Sequence, residues 1–155
     1  MTYSMKALLL DHTTDLSKNK TPLRLADVPM PVPKAGEVLV KVSVCGICHT
    51  ELDEIEGRTP PSFFPVVLGH QAVGEVVQIA ESVRHLSIGD RVGVAWIFSA
   101  CGQCRYCLEG QENLCESFKA TGRDANGGYA EYMTVPEDFA FKIPPVFKDA
   151  EAAPL

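Results

Sequence analysis

A mainly β, barrel-like domain is the fold that this sequence predicts, and three observations predict it. Short apolar runs with strand-like alternation recur along the chain, glycine and proline punctuate them, and only two short stretches read as helix. The chain has 155 residues, enough for one domain with a sizeable core.

Met5 to Leu10 reads as the first strand. Asp11 to Pro22 is polar and reads as a loop or hairpin tip. Leu23 to Val28 is a second strand, ended by Pro29, Pro31 and Pro33. Glu37 to Val44 alternates most clearly. Val38, Val40, Val42 and Val44 are expected on one face, with Leu39 the apolar exception on the other. Cys48 to Gly57 changes character: Leu52 and Ile55 are three apart among acidic residues, and Gly57 is a candidate C-cap, so a short helix is predicted. Thr59 to Pro65 holds three prolines and reads as a rigid loop, after which Val66 to Leu68 leads into Gly69-His70. Ala72 to Ile79 is a strand, Leu86 to Val94 a turn and a strand, and Trp96 to Ser99 precedes a cysteine-rich lobe. A strand is expected from Gly127-Gly128 through Val135, and another over Ala140 to Ile143. Asp149 to Leu155 reads as the start of a helix, and its abrupt stop is expected of a fragment of something longer.

The formal net charge of −6 argues against nonspecific binding to nucleic acid or to an anionic membrane. The only apolar run near the start, Ala7 to Leu10, is too short for a signal-peptide core or a membrane span. A cytoplasmic protein is expected, and its clustered thiols read as metal ligands rather than as a disulfide framework, with Cys45 a bystander.

Four of those thiols, Cys101, Cys104, Cys107 and Cys115, fall within fifteen residues. Tight turns at such spacings aim successive thiolates at one ion, and a closed tetrahedron of thiolates is what zinc takes in a structural role. An iron–sulfur cluster is the competing reading, although its usual spacings differ. A closed site has no open coordination position, so this lobe, at about 98–118, is expected to order a polar loop rather than to do chemistry.

The stretch from Cys45 to His70 carries a second set: Cys45, Cys48, His49, Thr50, Asp53 and His70. Cys45-x2-Cys48-His49 matches the c-type haem attachment pattern, which needs export, and a CxxC redox pair, which needs a thioredoxin-like context. A third reading is a catalytic zinc with Cys48 and His70 as two of three protein ligands and an open position for substrate.

These residues carry a family resemblance. Gly46-Ile47-Cys48-His49-Thr50, Gly69-His70-Gln71-Ala72-Val73-Gly74, Gly89-Asp90-Arg91-Val92 and the four-cysteine lobe together resemble the N-terminal, GroES-like domain of zinc-dependent medium-chain alcohol dehydrogenases. The resemblance implies a GroES-like, partly open β-barrel over residues 1–155, with short helices and a zinc-binding loop lobe. It implies Zn2+ at two sites: a catalytic one on Cys48 and His70, and a structural one on Cys101, Cys104, Cys107 and Cys115. Thr50 would hydrogen-bond the substrate oxygen and pass its proton on. His49 stands where the family has a basic residue near the coenzyme pyrophosphate, and Trp96 where an aromatic lines the substrate pocket. The implied reaction oxidises an alcohol to an aldehyde or ketone by hydride transfer to NAD or NADP, with zinc as Lewis acid. A homo-oligomer, dimer or tetramer, is implied for the full-length protein.

Two positions depart from the family pattern. Gln71 stands where most members have Glu just behind the zinc, and Asp53 where many have the histidine of the proton relay. No two of the twelve glycines are separated by one residue, so the GxGxxG phosphate loop is absent. The resemblance therefore implies that the coenzyme domain and the third zinc ligand follow Leu155, and that the fragment alone is inactive. A polyol or formaldehyde dehydrogenase of the same superfamily and a non-enzymatic zinc-binding module are the alternatives.

Overall fold

The structure, a computed structural model, describes residues 3–154. In chain order the elements are β1 (Ser4–Leu10), β2 (Leu23–Pro29), β3 (Glu37–Cys45), α1 (His49–Glu56), β4 (Val66–Val67), β5 (Ala72–Ile79) and β6 (Arg91–Val94). There follow β7 (Ile97–Ser99), α2 (Arg105–Leu108), β8 (Lys119–Ala120), β9 (Tyr132–Pro136), β10 (Ala140–Lys142) and α3 (Asp149–Ala152). The expected final helix is thus one short turn as far as it is described, and Leu155 lies outside the described residues.

Five antiparallel strands in the order β10-β6-β5-β3-β9 curl into a half-barrel, and a three-stranded sheet β2-β1-β4 stands beside it. Val38, Val40, Val76, Val92, Met133 and Val135 fill the half-barrel. Strand β3 lies one strand in from the edge, pairing β5 on one side and β9 on the other; Val38 and Val40 face the core, and Leu39 is buried on the opposite face, where Lys41 and Ser43 are exposed.

The regular alternation expected along β3 does not hold to its end. The pairing with β5 slips between Val42 and Val44, a bulge that turns the following side chains over. Val44 packs with Val73, Ala152 and Ala153 on the outer side, while Cys45 joins Val42 against the barrel core. The strand expected from Gly127 also begins late, at Tyr132. The N–H groups of Gly127, Gly128 and Tyr129 are taken instead by the carbonyls of Val67, Gly69 and Leu68, at 2.7, 2.8 and 3.0 Å. Only glycine permits that approach, since a Cβ on Gly127 would lie 2.1 Å from the Gly69 carbonyl oxygen.

Helix α1 begins where β3 ends. Cys48 is its N-cap: Sγ accepts from the Thr50 N–H, and the Glu51 carboxylate reaches back to the Cys48 N–H at 2.8 Å. Gly57, at φ 78°, closes the helix in the left-handed conformation. The buried face of α1 is Glu51, Glu54 and Ile55, whereas Leu52 is exposed. That inverts the usual pattern for a helix on a core, and it places two carboxylates under the strand ends.

Candidate active site

The bulge at the end of β3, the capped start of α1 and the loop before β5 meet at one point. Gly69, at φ +96°, turns the chain so that His70 points inward; a Cβ there would strike the Tyr129 ring at 2.6 Å and Cys45 Sγ at 2.9 Å. His70 Nε2 then lies 3.4 Å from Cys48 Sγ. With Zn–S near 2.3 Å and Zn–N near 2.0–2.1 Å, one tetrahedral ion would separate its sulfur and nitrogen ligands by about 3.6 Å. The pair therefore fits a shared zinc, with further positions left to other ligands.

The other imidazole nitrogen, Nδ1, lies 2.8 Å from Glu51 Oε1, a contact that falls short of linear hydrogen-bond geometry. Burial pushes the Glu51 carboxyl up, but the His70 contact and the Cys48 N–H outweigh it and hold it below the usual carboxylate range. Cys48, Glu51 and His70 bring their ligand atoms within 4.8 Å of one another. Of the two Glu51 oxygens, Oε2 accepts the Cys48 N–H of the helix cap and Oε1 lies against the imidazole at Nδ1. Glu51 is therefore suited to orienting His70 rather than to replacing it as a ligand. Sequence reasoning missed this residue; its one signal is the capping-box spacing from Cys48. Glu51→Gln is expected to weaken metal retention by ~10–100-fold, read by competition with a chelator. Unchanged retention would show that packing alone orients the ring.

Glu54 was missed too. It is fully buried one turn beyond Glu51, and neither of its carboxylate oxygens has a hydrogen-bond partner among the described residues. Burial, then the negative charge of Glu51, pushes its carboxyl up to about 7.

The remaining predicted residues gather around this point at different depths. Thr50 is half-buried in the first turn of α1. His49, beside it, is 79% exposed, with Nε2 3.7 Å from Asp53 Oδ1. The Asp53 carboxylate is held chiefly by Arg58, whose Nε and Nη2 both lie 2.5 Å from Oδ1. Gln71 lies over Gly46, whose Cβ would meet Gln71 Oε1 at 2.4 Å. Trp96 stands edge-on to the His70 ring, with centroids 5.1 Å apart at 82°. His70, Gln71 and Trp96, with Phe141, Ile143 and Ala153, line a cavity of about 460 Å³. Cys45 is close by but turned inward, and burial pushes its thiol up to about 11, so it is a poor nucleophile and a poor ligand.

Away from the cavity, Cys101, Cys104, Cys107 and Cys115 bring four sulfur atoms within 4.8 Å of one another. The Cys104–Cys107 and Cys101–Cys107 sulfur pairs are 3.5 and 3.9 Å apart. These bracket the edge of about 3.8 Å that a zinc tetrathiolate with ~2.3 Å bonds requires. The Gln103 and Cys104 N–H groups point at Cys101 and lower its thiol to about 6, which favours the thiolate that a metal needs.

Comparison with known proteins agrees with this geometry. Residues 34–145 match the alcohol dehydrogenase GroES-like domain family. An alcohol dehydrogenase of Geobacillus stearothermophilus is 44% identical over 137 residues, covering 88% of this chain and 41% of the relative. A cobalt- and zinc-bound thermostable alcohol dehydrogenase from Pyrobaculum aerophilum superimposes with a TM-score of 0.87 at 32% identity, over 99% of this chain and 45% of that one. An NAD-dependent alcohol dehydrogenase does so with a TM-score of 0.89 at 30% identity, over 97% of this chain and 43% of that one. The chain thus spans less than half the length of these relatives. Among the described residues no helix is long and apolar enough to cross a membrane. With the half-barrel, the paired cysteine and histidine and the thiol lobe in view, and the family match extending through all three, the chain belongs to the alcohol dehydrogenase GroES-like domain family.

Proposed function

We propose that this chain is the catalytic domain of a zinc-dependent alcohol dehydrogenase that passes hydride to NAD or NADP. The observation that carries this is the Cys48–His70 pair, 3.4 Å apart, with His70 and Trp96 both lining one cavity. A zinc module without chemistry has no need of a second metal site whose coordination is incomplete. Nicotinamide coenzyme needs a phosphate-binding loop that these residues lack, and the longer relatives have room for one beyond the matched span.

Bound at Cys48 and His70, zinc supplies Lewis-acid polarisation of the substrate oxygen. The chain's own residues do the rest. Glu51 holds the His70 ring by its Nδ1, so that Nε2 faces Cys48. Gln71 contributes a neutral amide beside His70, which leaves the site one charge more positive than a carboxylate would. Thr50 holds the substrate hydroxyl and accepts its proton. Asp53, 29% exposed, is the next acceptor toward solvent, with His49 3.7 Å beyond it. His49 at the N-terminal turn of α1 also offers an imidazole and a helix end to a coenzyme phosphate. The trade between the Arg58 pair and a proton route is tested by the pH–rate profile of Asp53→Asn, and an unchanged profile removes Asp53 from the route.

The test of the whole reading joins metal content to turnover. The full-length enzyme is expected to hold two zincs per chain and to reduce NAD or NADP with an alcohol. Cys48→Ser is expected to lose one zinc and the turnover while the four-thiolate zinc and the fold remain. Retained turnover in that variant, or bound iron, would refute the proposal.

A further inference from the structure

The segment from Thr121 to Asn126 has no role in the mechanism above, yet it is tied to the Ala95–Trp96 wall of the cavity and to the loop before β4. The Thr121 N–H donates to the Trp96 carbonyl at 2.9 Å, and its hydroxyl to the Ala95 carbonyl at 2.8 Å. The Ser62 N–H, from the proline-rich loop, donates to the Arg123 carbonyl at 3.0 Å, and the Val67 N–H to Asn126 Oδ1 at 3.0 Å. Asp124 is anchored by the Ser62 hydroxyl and by the Ala120 N–H at 2.9 Å. Onto that fixed carboxylate Arg123 donates from Nε at 3.0 Å and Nη2 at 2.7 Å.

The guanidinium so held lies over two aromatic rings. Its Cζ is 5.5 Å from the Trp96 ring centroid and 5.7 Å from that of Phe118. The two rings are 6.1 Å apart. A cation over an indole within about 6 Å is attracted to its face, and a planar guanidinium held by a carboxylate has little freedom to leave. Trp96 is only half-buried, and its other ring contacts are the tilted one with Phe118 and the edge-on one with His70. Among the described residues Arg123 is the cation held against that ring, with Phe118 tilted beside it.

The geometry points to Arg123 as a positioning residue that, through its Asp124 anchor, holds Trp96 against His70 and so sets the width of the substrate pocket. It rests on the reading of that cavity as the substrate pocket, but one test does not. Trp96 is the chain's sole tryptophan, so its fluorescence reports this wall directly.

The emission and acrylamide quenching of Trp96 are to be measured in this chain and in Arg123→Ala and Arg123→Lys. A red shift and readier quenching are expected in Arg123→Ala. A smaller change is expected in Arg123→Lys, which keeps the charge but not the planar fork. In the full-length enzyme Arg123→Ala is expected to raise KM for the alcohol roughly threefold to tenfold, the equivalent of a cation–π contact, with kcat changed much less. Wild-type emission and quenching in both variants would overturn the proposal. If Arg123→Ala does not fold, Arg123→Lys decides alone, and unchanged emission there overturns it. A fluorescence change in a protein that turns over no alcohol would leave the clamp standing and remove the enzymatic reading instead.

Discussion

Removing the metal from the four-thiolate lobe, by strong chelation or by Cys107→Ser, is expected to unfold residues 98–118 locally while the five-stranded sheet persists. The lobe has almost no core. From Cys101 to Phe118 only Cys115 is buried, and Leu108 and Leu114 are 75% and 51% exposed. None of its residues belongs to the cluster that fills the half-barrel. Its ordered turns, α2 and the 3-10 turn over Glu112–Leu114, are each too short to persist alone. What remains to hold it is an ion that the four thiols could bind, and small zinc-dependent peptides draw about 10–16 kcal/mol of apparent binding energy from such a site. Amide hydrogen exchange is the direct measurement. Protection from 101 to 115 should vanish on metal removal while that of Val38, Val40 and Val76 is kept. A lobe that stays protected without metal would show that its turns are stable in their own right.

Glu54→Gln is expected to stabilise the protein at pH 8 and to do little at pH 4. The native carboxyl is raised to about 7 from an ordinary 4.5, first by burial and then by the charge of Glu51. Below pH 4.5 the group is protonated whether the chain is folded or not, and it costs nothing through ionisation. As pH rises from 4.5 toward 7 the unfolded chain ionises it first, so stability falls, and above 7 the loss is complete. At 1.36 kcal/mol per unit the loss is about 3 kcal/mol, or on the order of 10 °C in Tm for a chain of this size. A dication on Cys48 and His70 would favour the ionised form, so the effect is largest with that site stripped. Thermal melts of both proteins from pH 4 to 8 provide the check. A gain in Tm that does not change with pH would mean that the carboxylate is better solvated than its burial indicates.

The candidate site was legible where its signal was local. The lobe needs four thiols at short spacings, and both the spacing and its consequence lie within fifteen residues. Cys48 as the start of a helix and Gly57 as its end were readable, because each answers to the backbone of its immediate neighbours. Glu51 and Glu54 were not. On a helix of this composition acidic residues read as the solvent side, and nothing in the sequence reports that a strand end and an imidazole cover them.

The sequence by itself determined the strands, the turns and the residue types able to hold two metals, since these follow from alternation, glycine and proline geometry and ligand spacing. Tertiary structure alone decided which groups act together. The slip in β3 turned Cys45 into the barrel core and left Cys48 to face His70. The packing of α1 under the strand ends buried two carboxylates, and the strap after β8 laid Arg123 on Trp96. The reason is range. Caps, turns and metal spacings are settled by neighbours in sequence, whereas burial and long-range pairing depend on what the finished sheets bring alongside.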